Sequence, residues 1–345
     1  MLARVAFLLL MLLKAAGVVA HEPSLSRFNY GEHVLPIFQR HCAGCHRSGG
    51  AGPMSLLDYQ EAVPWANAIK LALLEGRMPP FLPSDESGPF QHARTLTAEE
   101  LDVLVDWSVG ATPQGEPIEE EAPRVSDETP TADLVLRAPS EIVLDEDEYE
   151  KTACVVFPSG LEHPRIATSF ELVSRTPSIL RRATVFLGDS CAADAEPFGT
   201  WLPDQGRVSY PGGFGREIPA DSSLALELRY VKSWEDEGRR MGDQTALGLW
   251  FSDDAAIVRA MRITAPRWSV KEPRLLTALY PAPADESPLR VELVLPDGGA
   301  RLLLAIESFD AAWSEKYFFR EPVLLPVGSQ IRVSHPVVWA DLGEP

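Results

Sequence analysis

The residues with the most chemistry in the least space are Cys42-Ala43-Gly44-Cys45-His46. Two thiols three positions apart, followed at once by an imidazole, form the C-x-x-C-H signature that attaches a c-type haem. Thiols about one helical turn apart can add to the two vinyl groups of one porphyrin, and the adjoining histidine then faces the iron from the same turn. Two other chemistries also use paired cysteines. A structural zinc site needs two further Cys or His ligands at close spacing, yet the next cysteine, Cys154, lies more than a hundred residues downstream. A redox-active dithiol belongs to a βαβ setting, and no such alternation of elements surrounds the motif. The expected cofactor is therefore one covalent haem c, attached at Cys42 and Cys45 and ligated by His46.

The second axial position has several candidates. Met78 stands in Arg77-Met78-Pro79-Pro80-Phe81, just after an apolar helical stretch around Ala66 to Leu74. Two prolines stiffen that loop into extended backbone, which suits it to hold a thioether against the iron. Met54 is only eight residues beyond His46 and is hard to bring to the opposite face. His33, His41 and His92 lack such a presenting loop, and any methionine also serves as core filler. Met78 is the expected ligand. A His/Met pair goes with a raised reduction potential and an electron-transfer role.

Elements able to position this motif are visible on either side of it. Val34, Leu35, Ile37 and Phe38 set an apolar stripe on a helix running into it. Thr97-Ala98-Glu99-Glu100 reads as a capping box, opening a helix with Leu101, Leu104 and Trp107 on one side and closing at Gly110. A small c-type cytochrome packs such N- and C-terminal helices together around its haem.

Beyond residue 130 the pattern changes. Leu224 to Val231, Ala246 to Phe251, Leu289 to Leu295 and Arg301 to Ile306 are strand-like, and Leu289, Val291 and Leu293 alternate with Arg290 and Glu292. Pro296-Asp297-Gly298-Gly299 supplies a turn between two of these runs. The 30 prolines of the chain favour strands and loops over a helical bundle. Pro113, Gly115, Pro117, Glu119-Glu120-Glu121, Pro123 and Pro130 mark 113–130 as an exposed acidic linker.

The N-terminus reads as a secretory signal. Arg4 precedes an apolar run from Val5 to Leu13, and Gly17-Val18-Val19-Ala20 offers small residues for cleavage. The run is too short for a stable anchor, and no later segment has the length a span needs. A soluble protein of the periplasm, or one otherwise exported, is expected. In such an oxidising compartment the remaining pair, Cys154 and Cys191, would join in a disulfide. The formal charge of −19 excludes nucleic acid as a partner, since binding there rests on cations neutralising phosphates. It leaves two readings: ordinary solubility, or docking to a redox partner of basic charge.

Further residues carry a resemblance. Val34-Leu35-Pro36-Ile37, Pro53-Met54-Ser55-Leu56-Leu57 and Arg77-Met78-Pro79-Pro80 resemble a bacterial family that fuses a cytochrome c domain to a domain similar to type II copper, ascorbate-dependent monooxygenases, the group of peptidylglycine and dopamine hydroxylases. Val155 to Gly160, Pro211-Gly212-Gly213, Leu226 to Tyr230 and Leu295 to Gly298 extend it more weakly. The resemblance implies a multidomain chain: a signal at 1–20, a small all-α cytochrome c domain at 24–112, the linker at 113–130, and all-β antiparallel sandwiches of monooxygenase-like type at 131–265 and 266–345. It also implies five imidazoles and a thioether for two coppers. The matching positions hold Arg181-Arg182, Arg229 and Pro281-Ala282-Pro283, and after residue 130 only His163 and His335 remain. Guanidinium stays protonated and does not replace imidazole, so copper is not expected. The sequence thus points to a mono-haem electron carrier with a copper-less β module for docking a partner or ligand. The rivals are a copper hydroxylase fed by its own haem, and a structural relay in an envelope redox complex.

Overall fold

A computed structural model describes residues 25–116, 131–203, 205–282, 287–334 and 338–345. The signal read at 1–20, most of the linker and His335 lie outside these residues.

Four short α-helices lie within the described residues 25–116: α1 Leu35–His41, α2 Tyr59–Ala62, α3 Ala66–Leu74 and α4 Ala98–Val109. Asn29 caps the helical turn that leads into α1, its side chain accepting from the Glu32 amide. The Thr97–Glu100 capping box opens α4 as the sequence suggests, and Gly110 ends it. Trp107 on α4 is fully buried against Phe38 of α1, with ring centroids 6.4 Å apart. Burying two such side chains removes enough apolar surface to hold helices this short together.

Glu100 ties the same two helices by charge. Its Oε1 accepts from Arg40 at 2.9 Å and lies 3.1 Å from Nε2 of His41, while Oε2 accepts from the Thr97 amide. Burial pushes this carboxyl up, but the hydrogen bonds from Thr97, Arg40 and His41 outweigh it and hold the pKa down at about 2. A carboxylate whose folded pKa lies below its unfolded value lends stability that is full above the unfolded value and disappears as pH falls toward the folded one. Thermal unfolding of wild type and Glu100→Gln is therefore expected to differ most above pH 4.5, and the gap to close between pH 4.5 and about 2.

Nineteen strands make up most of the remainder. A nine-stranded sheet runs in the order Leu134–Arg137, Ala246–Phe251, Arg165–Val173, Phe214–Ile218, Ala256–Ile263, Val338–Gly343, Arg274–Pro281, Tyr317–Leu325, with Val208–Ser209 also paired to 165–173. It is antiparallel except where 256–263 meets 214–218. One face of its first half buries a core with a four-stranded sheet made of 150–158, 223–231, 180–187 and 196–201. Its second half builds another core with 267–269, 330–333, 289–294 and 300–306. The alternation read in 289–294 is present: Leu289, Val291 and Leu293 are buried and Arg290 is exposed. Between the two cores lies an ionic knot. Asp341 meets Arg216 at 3.1 Å and Lys316 at 2.5 Å, all three almost without exposure, and Arg216 also pairs with Glu196.

The expected architecture, an all-α cytochrome c domain followed by separate monooxygenase-like sandwiches, is corrected here. The chain is mostly β, its α-helices span only 4 to 12 residues, and they do not form a separate all-α domain. Between α3 and α4 the chain leaves the helices and joins the C-terminal core. Pro83 bridges to Ile306 and Phe90 to Phe319, and Phe90 stacks 4.9 Å from Phe319. The Ser84 amide donates to Ala305, and that of Gln91 to Phe318. Pro79, Pro80, Pro83 and Pro89 bar this segment from helix, so its two phenylalanines bury themselves against a sheet edge instead. That burial stitches helices and strands into one body.

Candidate cofactor pocket

The motif sits where helices and strands meet. Directly after α1, the amides of Cys45 and His46 both donate to the Cys42 carbonyl, at 3.1 and 2.8 Å. This single turn brings two thiols and an imidazole onto the wall of one cavity of about 530 Å³. Met54, Trp65 and Met78 line it from the helical side; Tyr149, Arg181, Lys232, Trp234 and Trp313 close it from the β side.

His46 is held by its Nδ1, 3.2 Å from the Met54 carbonyl. A ring whose Nδ1–H donates to a carbonyl keeps its lone pair on Nε2, the tautomer and orientation that metal-binding histidines need. Burial lowers the His46 pKa; the Met54 contact opposes this, and the charge of Arg181 lowers it further. The imidazole is therefore neutral and available as a donor. Gly52 makes room for it: a Cβ there would stand 2.6 Å from Nδ1.

Burial, and then the neighbouring Cys45, push the Cys42 thiol up to about 12. Dithiol oxidoreductases require the opposite, a depressed thiol pKa. The chain's disulfide lies elsewhere, joining Cys154 to Cys191.

Met78 lines the cavity half-buried, on a loop fastened at both ends. The amides of Arg77 and Met78 donate to Ala72 at the end of α3. On the other side Arg94 donates to the Pro80 carbonyl at 3.1 Å and to Glu315 at 2.6 Å. Glu315 in turn accepts from Gln205 at 2.8 Å. The β body thus holds the loop that carries Met78.

The alternative ligands fall as follows. Met54 also lines the cavity, and its carbonyl is the one that orients His46. His41 reaches the wall but is engaged by Glu100. His33 accepts from its own helix cap at Asn29 and stacks on Phe28, away from the cavity. His92 is exposed at positive φ and His163 is exposed; neither lines the cavity.

The three arginines at the supposed copper positions divide. Arg182 pairs with Glu227 and Arg229 with Glu150, at 2.6 and 2.7 Å. Arg181 instead faces the cavity. Sequence reasoning missed this β-side wall, including Lys232, Trp234 and Trp313, because its members come from loops and strands with no common local pattern. Among the described residues no three His, Cys, Asp or Glu side chains converge as metal ligands.

The pocket suits a covalently held porphyrin. Its volume lies within the roughly 300–1,000 Å³ of ordinary ligand sites. Its wall is mostly apolar with several aromatic side chains, and the donors it offers include the thiols of Cys42 and Cys45, the neutral imidazole of His46 and the thioethers of Met54 and Met78. No helix among the described residues is long and apolar enough to cross a membrane. The disulfide accords with an exported protein.

No family model matches the chain, and no curated protein matches it. Solved structures with some likeness include the major capsid protein P2 of bacteriophage PM2, at 8% identity and a TM-score of 0.25 over 61% of this chain and 95% of that one. A putative secreted protein from Parabacteroides distasonis aligns at 9% identity and a TM-score of 0.21, over 61% of this chain and 89% of that one. Scores this low assign no fold. With strands predominating, no separate helical domain and no group of three metal-ligating side chains among the described residues, the resemblance to cytochrome c fused to a copper monooxygenase does not hold.

Proposed function

We propose that the chain is an exported electron-transfer protein whose single haem is bound covalently between the helices and the β body. Cys42 and Cys45 hold it, His46 and Met78 ligate its iron, and the β body docks a redox partner. The observation that carries this reading is the setting of His46: a buried, neutral imidazole locked through Nδ1, one turn from the thiols of Cys42 and Cys45, in a cavity also lined by Met78.

Attachment asks little of the side chains. Cys42 and Cys45 would hold the porphyrin through thioether bonds, which thiols form with vinyl groups without net oxidation. When bound, the cofactor would supply one-electron ferric/ferrous chemistry, and a His/Met pair favours a raised potential. The protein's part is to position. Met54 and Gly52 fix the imidazole, Arg94 and Glu315 fix the loop bearing Met78, and Trp65, Trp234 and Trp313 line the cavity with aromatic surface.

Met78→Ala is the direct test of the ligand set. The purified wild type, oxidised, should show a weak absorption band near about 695 nm, roughly where iron–thioether ligation absorbs. The variant should keep its haem, lose that band and drop in reduction potential. Retention of the band in Met78→Ala would remove Met78 from the account and point to Met54.

A further inference from the structure

Two cations on the β-side wall of the cavity form no ion pair among the described residues. Lys232 is 1% exposed, and its ammonium donates to the Asp145 carbonyl. Arg181 donates through Nη1 to the Ser178 carbonyl at 2.6 Å. Neither forms an ion pair with any described residue, in a chain that carries 50 Asp and Glu. The acids within reach are committed elsewhere: Asp236 to Arg239 at 3.1 Å and Glu148 to Lys151 at 2.9 Å. Arg94 and Arg77, which also line the cavity, are paired with Glu315 and Glu75. An unpaired buried charge costs several kcal/mol unless something compensates it. Lys232 is such a charge, and the half-buried Arg181 converges with it on one cavity.

We infer that Arg181 and Lys232 form a carboxylate-binding wall that neutralises the two propionates of the tetrapyrrole seated in this cavity. The inference rests on the haem reading above and deepens it: the β body becomes a structural half of the cofactor site. The match is one of number and sign, two cations for two carboxylates. Guanidinium offers a planar fork to a carboxylate, and a buried ammonium offers its remaining donors.

The test uses the full chain produced in a host without haem-attachment machinery, so that the cavity is intact and its thiols are unmodified. Titration with free haemin and with haemin dimethyl ester, followed by quenching of the cavity tryptophans, isolates the carboxylates. Haemin is expected to bind at least tenfold more tightly than the ester. Arg181→Gln should lose most of that preference and Arg181→Lys should keep most of it. Equal binding of acid and ester by the wild type overturns the inference, and needs no variant to fold. The haem reading is judged separately, by whether the same chain acquires covalent haem in a host that has the machinery. If it does while acid and ester bind alike, only the wall is wrong. If it stays colourless there, the haem reading fails and takes the wall with it.

Discussion

Replacing Asp341 by alanine is expected to destabilise the chain by about 3–5 kcal/mol, the usual consequence of removing one partner from a buried ion pair. Asp341 has no exposure and stands between Lys316, also unexposed, and Arg216, at 3%. Burial pulls the Lys316 pKa down to about 8, and Asp341 is the first influence that opposes it. Without the carboxylate, Lys316 must shed its proton or stay charged in an apolar surround, and the Arg216 guanidinium has no such escape. Urea denaturation followed by fluorescence measures the loss, and the midpoint should fall with little change in slope. Replacing Asp341, Lys316 and Arg216 together by apolar residues of similar volume should cost less than the single change, because no charge is then stranded. A single variant as stable as wild type would show that the knot is hydrated.

Glu315→Ala is expected to combine a stability loss of similar size, about 3–5 kcal/mol, with a change at the cofactor. Glu315 and Arg94 have side chains 4% and 7% exposed, so the variant removes the carboxylate from a buried ion pair. Arg94 also holds the Pro80 carbonyl, two residues beyond Met78. Freed from Glu315, it no longer fixes that loop. The haem-loaded variant should therefore unfold at lower denaturant and show a diminished thioether band, although no residue of the loop has changed. Glu315→Gln, which keeps the acceptor for Arg94 but not the charge, should fall between the two. Loss of stability with an unaltered spectrum would mean that the loop is set by Pro79, Pro80 and its own contacts with Ala72.

What the sequence could and could not reveal follows from the range of the interactions. The capping box at Thr97–Glu100, the helix Ala66–Leu74 and the strand Ala246–Phe251 were legible because local hydrogen bonding and side-chain periodicity decide them. The turn that gathers Cys42, Cys45 and His46 was legible because a three-residue spacing is a local feature. The joining of helices to strands was not. It depends on Phe81 and Phe90, in a proline-rich segment without periodicity, finding partners more than two hundred residues away. The same blindness hid the cationic wall. Arg181 attracted notice only as a misfit for copper, and nothing in its neighbours says that Arg182 turns to Glu227 while Arg181 turns to the cavity. The family resemblance misled about architecture, since short matches around one motif do not report how the segments between them pack.

The most direct test is the intact mass of the purified chain after export from a host with working haem-attachment machinery, read together with its spectrum in alkaline pyridine. The account predicts a mass above that of the polypeptide by one haem, no such increment in Cys42→Ala/Cys45→Ala, and a Cys154–Cys191 disulfide in both. A wild-type chain that arrives folded, with that disulfide formed and the mass of bare polypeptide, would contradict it.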